Sequence, residues 1–188
     1  MKPVITVFTL FGSLLIGACG QVETKESKPY NKDEKNRMTI CVGLADTAHT
    51  AALKKKSNTP KQKLLDYYAD KPNAKMTMAT VEKVYASEFK SVYSYAIDFF
   101  NECALKIANV EKTRRGLASY CMQNQLIADY GYRFRKAGKE KQKAYDYFAA
   151  YKNETVNRMI DFGYTTQLTR AKMKLLVWNQ CMEKITES

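Results

Sequence analysis

The stretch "KQKLLDYYA" at 61–69 returns as "KQKAYDYFA" at 141–149. Lys61, Gln62, Lys63, Asp66, Tyr67 and Ala69 match Lys141, Gln142, Lys143, Asp146, Tyr147 and Ala149, an offset of 80 residues. Tyr68 is answered by Phe148, another ring. The cysteines follow the same period. Cys41 and Cys121 lie 80 apart, and Cys103 and Cys181 lie 78 apart within "NECALKI" at 101–107 and "NQCMEKI" at 179–185. A repeat that carries its cysteines with it reads as one small architecture used twice. Setting Cys19 aside, four cysteines remain, and an even count in an exported domain reads as two disulfides. Four cysteines allow three pairings, and the repeat favours Cys41–Cys103 and Cys121–Cys181, one bridge per copy. Each would close a loop of about 60 residues, which chain-entropy arguments value at ~4 kcal/mol before strain.

Apolar spacing is helical throughout. Val81, Tyr85, Phe89, Val92, Ala96, Phe99, Cys103 and Ile107 step by three or four, and predict one long amphipathic helix. Thr80 is its expected N-cap, with Lys112, Arg114 and Arg115 loading its far end before a stop at Gly116. Leu168, Ala171, Leu175, Trp178, Met182 and Ile185 give a second such stripe. Helices are expected at about 34–56 and 117–137, each ending basic and then breaking. Each box is a short helix, the first opened by Thr59 as N-cap and Pro60, and limited by Pro72. The stretch 153–166 reads either as a separate turn of helix or as the start of the last one. No alternating β-branched run appears. The expected fold is all-α, two related disulfide-stapled three-helix units packed as a helical bundle, with unit 1 at 37–116 and unit 2 at 117–188.

The N-terminus reads as an address. Lys2 precedes an apolar run from Val4 to Ala18, 15 residues long and short of the ~18–20 of a spanning helix. Its ending, "LIGAC", resembles a bacterial lipobox, with Ile16, Gly17 and Ala18 before Cys19. The resemblance implies a signal peptide at 1–18, cleavage, and acylation of Cys19 as the first mature residue. More than one acyl chain makes such attachment durable. Gly20, not Asp, holds the second mature position, which in a Gram-negative lipoprotein implies the outer membrane, facing the periplasm. Residues 19–36 are polar and mixed in charge, and read as a flexible tether.

Composition narrows the function. The formal charge of +12 becomes +11 after cleavage. So basic a chain suggests nucleic acid, but an export signal points away from it, toward acidic proteins, lipid head groups, lipopolysaccharide or peptidoglycan. His49 is the only histidine, and the cysteines are better spent on bridges than on a metal. No phosphate-cradling glycine loop is present. Asp98 and Glu102 stand at i, i+4, a spacing common on solvated helix faces and weak grounds for glycan hydrolysis. The reading is therefore non-enzymatic, with no cofactor and no metal. "YGYRFRK" at 130–136 interleaves rings with cations, so Tyr130, Tyr132, Arg133, Arg135 and Lys136 are the candidate binding residues. Core packing and helix capping are the competing explanation for them.

An exported all-helical unit with one early Cys and one late Cys, ending here in "KLLVWNQCMEKI", resembles the periplasmic immunity proteins of type VI secretion amidase effectors. The resemblance implies a non-enzymatic inhibitor that plugs a toxin's active site, with an envelope protein as partner. The apparent duplication and the lipid anchor depart from that family, and no contact residue carries over. The alternative is a basic module for an anionic envelope component; a cell-wall enzyme ranks below both.

Overall fold

The computed structural model describes residues 29–187. Cys19 and the expected signal peptide lie outside the described residues. Eight α-helices follow in order: α1 (Lys32–Lys56), α2 (Lys61–Ala69), α3 (Ala74–Ala86), α4 (Val92–Lys106), α5 (Arg115–Lys136), α6 (Lys141–Tyr147), α7 (Glu154–Thr165) and α8 (Arg170–Glu183). One 3₁₀ turn, Ala149–Tyr151, follows α6. There is no β-strand among the described residues. A single bridge pairs Tyr30 with Thr186 and brings the two ends of the described chain together. No described helix is long and apolar enough to cross a membrane.

The all-α, disulfide-stapled architecture is the one the sequence led us to expect, with the expected pairing. Cys41 joins Cys103 and Cys121 joins Cys181, each pair 5.5 Å apart at Cα. Each bridge ties the first helix of a copy to its last. Each copy has four helices rather than three: in the first the long helix expected from Val81 is broken, and in the second the stretch 153–166 stands as a helix apart from the last one. Three carbonyls mark the break in the long helix: Lys55 Nζ donates to Tyr85 O at 3.0 Å and Ser87 O at 2.7 Å, and Lys56 Nζ donates to Lys90 O. Ser91 then caps a fresh helix by accepting from Ser94 N. Thr80 is not an N-cap; it is buried inside α3 and donates to Met76 O. Gly116 is no stop either, since it lies inside the first turn of α5. Pro60, not Thr59, occupies the N-cap of α2, while the Thr59 carbonyl accepts from Tyr85 Oη. The stretch 153–166 is a helix of its own, capped by Asn153.

The two copies match in their joints. Asn73 and Asn153 precede the third helices, and Ser91 and Thr169 cap the fourth. Asn58 and Gly138 take the left-handed conformation (φ 54° and 65°) that ends α1 and α5. The box residues are joints as well. Gln62 donates to Asp66 and Gln142 to Asp146, while Lys61 reaches Glu82 on α3 and Lys141 reaches Asp161 on α7.

α1, α4, α5 and α8 form the central bundle. Helix α4 packs on both α1 and α5, and α8 packs on α5. The bridges and the charged ends make neighbours in that ring antiparallel. Its main core includes Met38, Phe100, Met122, Leu126, Trp178 and Met182, drawn from both copies. Matching positions meet across it. Glu34 pairs with Arg114, 80 residues on, and the Phe100 ring meets Trp178, 78 on, at 5.8 Å.

The start of the fold differs from expectation. Order begins before residue 37, since Tyr30 is 1% exposed and α1 starts at Lys32. Tyr30 Oη donates to Arg114 O and accepts from Ala118 N, under the Arg114 guanidinium. Asn31 and Glu34 form a capping box, the sequence signal that marks this start.

The tightest joint lies between α5 and α7. A Cβ added at Gly163 would overlap the Ala128 carbonyl oxygen and lie 2.9 Å from the Tyr132 nitrogen. Gly163→Ala is therefore expected to cost about 1–3 kcal/mol or more by overpacking, measured as a lower urea midpoint. Gly116→Ala, where an added Cβ meets open space, is expected to be neutral or slightly stabilising.

Candidate functional site

α1, α5 and α8 converge on a buried charge network. Asp129, on α5, is wholly buried. It accepts from Arg133 Nε at 2.7 Å, one turn along its own helix, and from Arg170 Nε and Nη2 at 2.5 and 2.8 Å. Arg170 Nη2 also donates to Asp46 Oδ1 on α1 at 2.9 Å, and Lys174 pairs with the same oxygen. Burial alone would raise the Asp129 pKa; the hydrogen bond from Arg170 and the charges of Lys174, Arg170 and Arg133 overcome it and hold the carboxyl below its usual range. Arg170 is likewise held charged, its two carboxylate partners outweighing its burial.

His49 sits one turn beyond Asp46, fully buried. Its Nε2 meets Tyr130 Oη at 3.2 Å, and that hydroxyl meets Tyr147 Oη at 3.0 Å. Its Nδ1 has no hydrogen-bond partner. Burial, reinforced by Arg133, pulls the imidazole down to about 4, so it is neutral at pH 7.

Asp46, His49 and Asp129 place one potential ligand atom each within 4.8 Å of one another. Their chemistry does not suit a cation. Both oxygens of Asp129 and one of Asp46 are spent on guanidinium and ammonium groups, and Arg133, Arg170 and Lys174 bring three positive charges against two negative. A metal ion would have to displace those partners first. The cluster is a salt-bridge network that fastens three helices.

The network forms one end of an open groove of about 380 Å³ between α1 and α8, whose wall includes Val42, Gly43, Leu175 and Trp178. A second groove, of about 420 Å³, lies between α5, α7 and α8 beside the Cys121–Cys181 bridge.

The five residues of "YGYRFRK" named as binders do not share a face. Tyr130 is buried, stacked on Tyr147 at 4.7 Å and edge-on to Phe148 at 5.2 Å. Arg133 is committed to Asp129, and Arg135 donates to Thr166 O. Tyr132 packs beside Met173 and Val177, with the Arg135 guanidinium and the Lys136 ammonium over its ring at 5.2 and 5.8 Å. Tyr132, Arg135 and Lys136 thus remain as a surface set, whereas Tyr130 and Arg133 face inward.

Sequence reasoning missed Asp46, Asp129, Arg170 and Lys174. The stripe through Leu168, Ala171 and Leu175 drew attention to the wrong face of α8. In its first half the buried side carries Lys174, Met173 and Val177, while Leu168 and Leu175 are exposed. A usable signal was present: Arg170, Lys174 and Trp178 step by four along one face.

No known protein family, curated protein or solved structure matches this chain.

Two outcomes follow from the network. A neutral histidine in the fold, with a pKa of about 4 against 6.5 unfolded, takes up its proton only in the unfolded chain between those values. Stability is therefore expected to fall as pH drops from 6.5 to 4, by up to about 3 kcal/mol. That loss precedes protonation of the depressed carboxylates, and denaturant titrations of His49→Gln should show it flattened. Asp129→Asn takes the shared carboxylate from Arg133 and Arg170, which stay partly solvated, and Arg170 keeps Asp46, so its melting transition is expected to fall by the equivalent of about 2–3 kcal/mol, below the range for a stranded, fully buried charge.

Proposed function

We propose that this chain is a lipid-anchored module of the bacterial envelope, outer membrane and periplasm-facing, that binds another protein and inhibits it without performing chemistry itself. The observation that carries the reading is that the titratable groups gathered in the interior are spent on one another. Asp129, Asp46, Arg133, Arg170 and Lys174 pair among themselves, and His49 is neutral and held by Tyr130. These groups fasten helices. Two bridges and that network give a stiff scaffold, which lowers the ordering cost of association.

The exterior supplies material for contact. Tyr67, Tyr147 and Tyr151 are each about half exposed or more, and the cations over Tyr132 suit a hot spot. An immunity-type inhibitor of an envelope toxin agrees with the resemblance of the final helix. The basic surface gives a second reading, capture of peptidoglycan, lipopolysaccharide or lipid, and salt separates the two. Attachment through lysines should weaken steeply as salt is raised, whereas a packed protein interface should persist.

The test is capture from envelope extract on the immobilised chain at rising salt. One protein retained at high salt, with capture weakened about tenfold by Tyr132→Ala at a temperature where circular dichroism shows the variant fully folded, is the expected result. Retention only of glycan or lipid, lost in salt, would refute it. Mass spectrometry of envelope-purified protein is expected to find acylated Cys19 as the first residue; an unmodified chain starting elsewhere would remove the anchor.

A further inference from the structure

The two copies are unequal beside their disulfides, and the difference leaves one groove short of a negative charge. In the first copy Glu102, next to Cys103, pairs with Lys83 Nζ at 2.5 Å and with Lys106 Nζ at 2.7 Å. All three line a groove of about 180 Å³ along that bridge, together with Leu44 and Phe99. By the repeat offset of 78, Glu102 corresponds to Gln180 and Lys106 to Lys184, as "NEC" at 101–103 becomes "NQC" at 179–181. Both line the groove of about 420 Å³ beside the Cys121–Cys181 bridge. The lysine is kept, and its carboxylate has become an amide. The same offset pairs Val92 and Ala96 with Arg170 and Lys174. Helix α8 thus gains charge on its inner face and loses a carboxylate on this one.

A second cation reaches the groove by another route. Lys83 corresponds to Gly163 by the offset of 80, and Arg158, at the place of Met78, lines the groove instead. Neither Arg158 nor Lys184 forms an ion pair among the described residues; Arg158 Nη2 donates to the Thr155 hydroxyl at 3.5 Å. No acidic side chain lines the groove. Arg158, Gln180 and Lys184 are all exposed. Partly buried Met159 and Phe162 add apolar surface to it, and Tyr120, 44% exposed, stands at its edge.

We propose that this groove receives an aspartate or glutamate of the partner protein. Its carboxylate pairs with Arg158 and Lys184 as Glu102 pairs with Lys83 and Lys106, and the Gln180 amide donates to it. An apolar side chain next to it in the partner lies against Met159 and Phe162. The inference rests on the protein-binding reading and names a site for that binding and the residue type it takes. The first copy shows which anion this place in the unit accepts. Guanidinium and ammonium groups bind a carboxylate by charge-assisted hydrogen bonds. The charge fixes register, while the apolar contact persists in salt. The groove's 420 Å³ admits a carboxylate together with a ring.

The probe is 3-phenylpropionate, a carboxylate joined to a ring, followed by nuclear magnetic resonance at the Gln180 side-chain amide and the Cys181 backbone amide. Saturable shifts are expected, with a dissociation constant on the order of millimolar. 3-Phenylpropanamide, which keeps the ring and lacks the charge, should bind at least threefold more weakly. Gln180→Glu, at an exposed position, restores the carboxylate of the other copy four residues before Lys184 and should weaken the probe at least threefold. Lys184→Gln removes a cation and should do the same. Absence of shifts in the wild type, equal binding of the amide, or binding that neither variant weakens would each overturn the proposal. Phenyl phosphate bound at least tenfold more tightly than 3-phenylpropionate would assign the groove to a phosphate and overturn it as well. Capture from envelope extract is expected to fall about tenfold in Gln180→Glu. Equal capture by wild type and both variants would overturn the groove assignment and leave the wider reading intact. Failure of the wild type to capture any protein would count against the wider reading, and the 3-phenylpropionate titration would still decide whether the groove takes a carboxylate. A wild-type dimer dissolved by Gln180→Glu would make the occupant a second copy. Probe binding strengthened by Glu23→Gln with Glu26→Gln would make it the chain's own tether, and either result overturns the assignment to another protein.

Discussion

Asp129 carries no exposed surface and yet holds a full negative charge, and much of the bundle is arranged around that fact. A buried carboxylate is tolerated only where its oxygens are saturated. Arg133 from its own helix and Arg170 from α8 do so, and Arg170 extends the pairing to Asp46 on α1. The pairing fastens three helices, and on α8 it lies at the end opposite the disulfide. The bridges fasten the other end, so α8 is held at both ends by contacts of different kinds. The network also has a steric result: Arg170 and Lys174 need room that Val92 and Ala96 do not, and α8 stands off α1 while α4 closes on α5.

The matched joints and unmatched centre of the two copies are informative together. The αL residue that ends the first helix, the asparagines before the third, the hydroxyl caps of the fourth and the Lys ties of the boxes recur in both. These are backbone and chain-turning requirements, and the same turn needs the same residue type wherever it is used. Several positions that differ lie on the surfaces where the copies meet. His49 corresponds to Asp129, Val92 to Arg170 and Tyr93 to Ala171. An interface between two copies of one unit need not keep its two halves alike once they share a chain, and each half is then free to take its own chemistry.

This arrangement bears on function through what it leaves unspent. Inside, ionisable groups are paired and the histidine is neutral. At the surface, rings and lysines are plentiful. A stiff, stapled body with such a surface is suited to recognition, and the proposal of an inhibitory binding partner follows from that contrast.

The sequence by itself determined the helical class, the period of the repeat, the pairing of Cys41 with Cys103 and Cys121 with Cys181, and the basic ends of α1 and α5. Each of these is local or periodic: a step of three or four, a cap, or a cysteine at a fixed offset. Tertiary structure decided the rest. The break at 87–91 depends on Lys55 and Lys56 arriving from another helix to satisfy carbonyls. The burial of Tyr30 depends on Arg114, more than 80 residues away. Tyr130 and Tyr132 are two residues apart in one motif, yet one is buried and the other only partly so, because a helix turns about 200° in two steps. Buried Asp129 and Lys174 read as surface charges in the sequence, since nothing local reveals the oppositely charged group that makes burial tolerable. Such pairs form only when distant helices meet, and that meeting is a property of the folded chain.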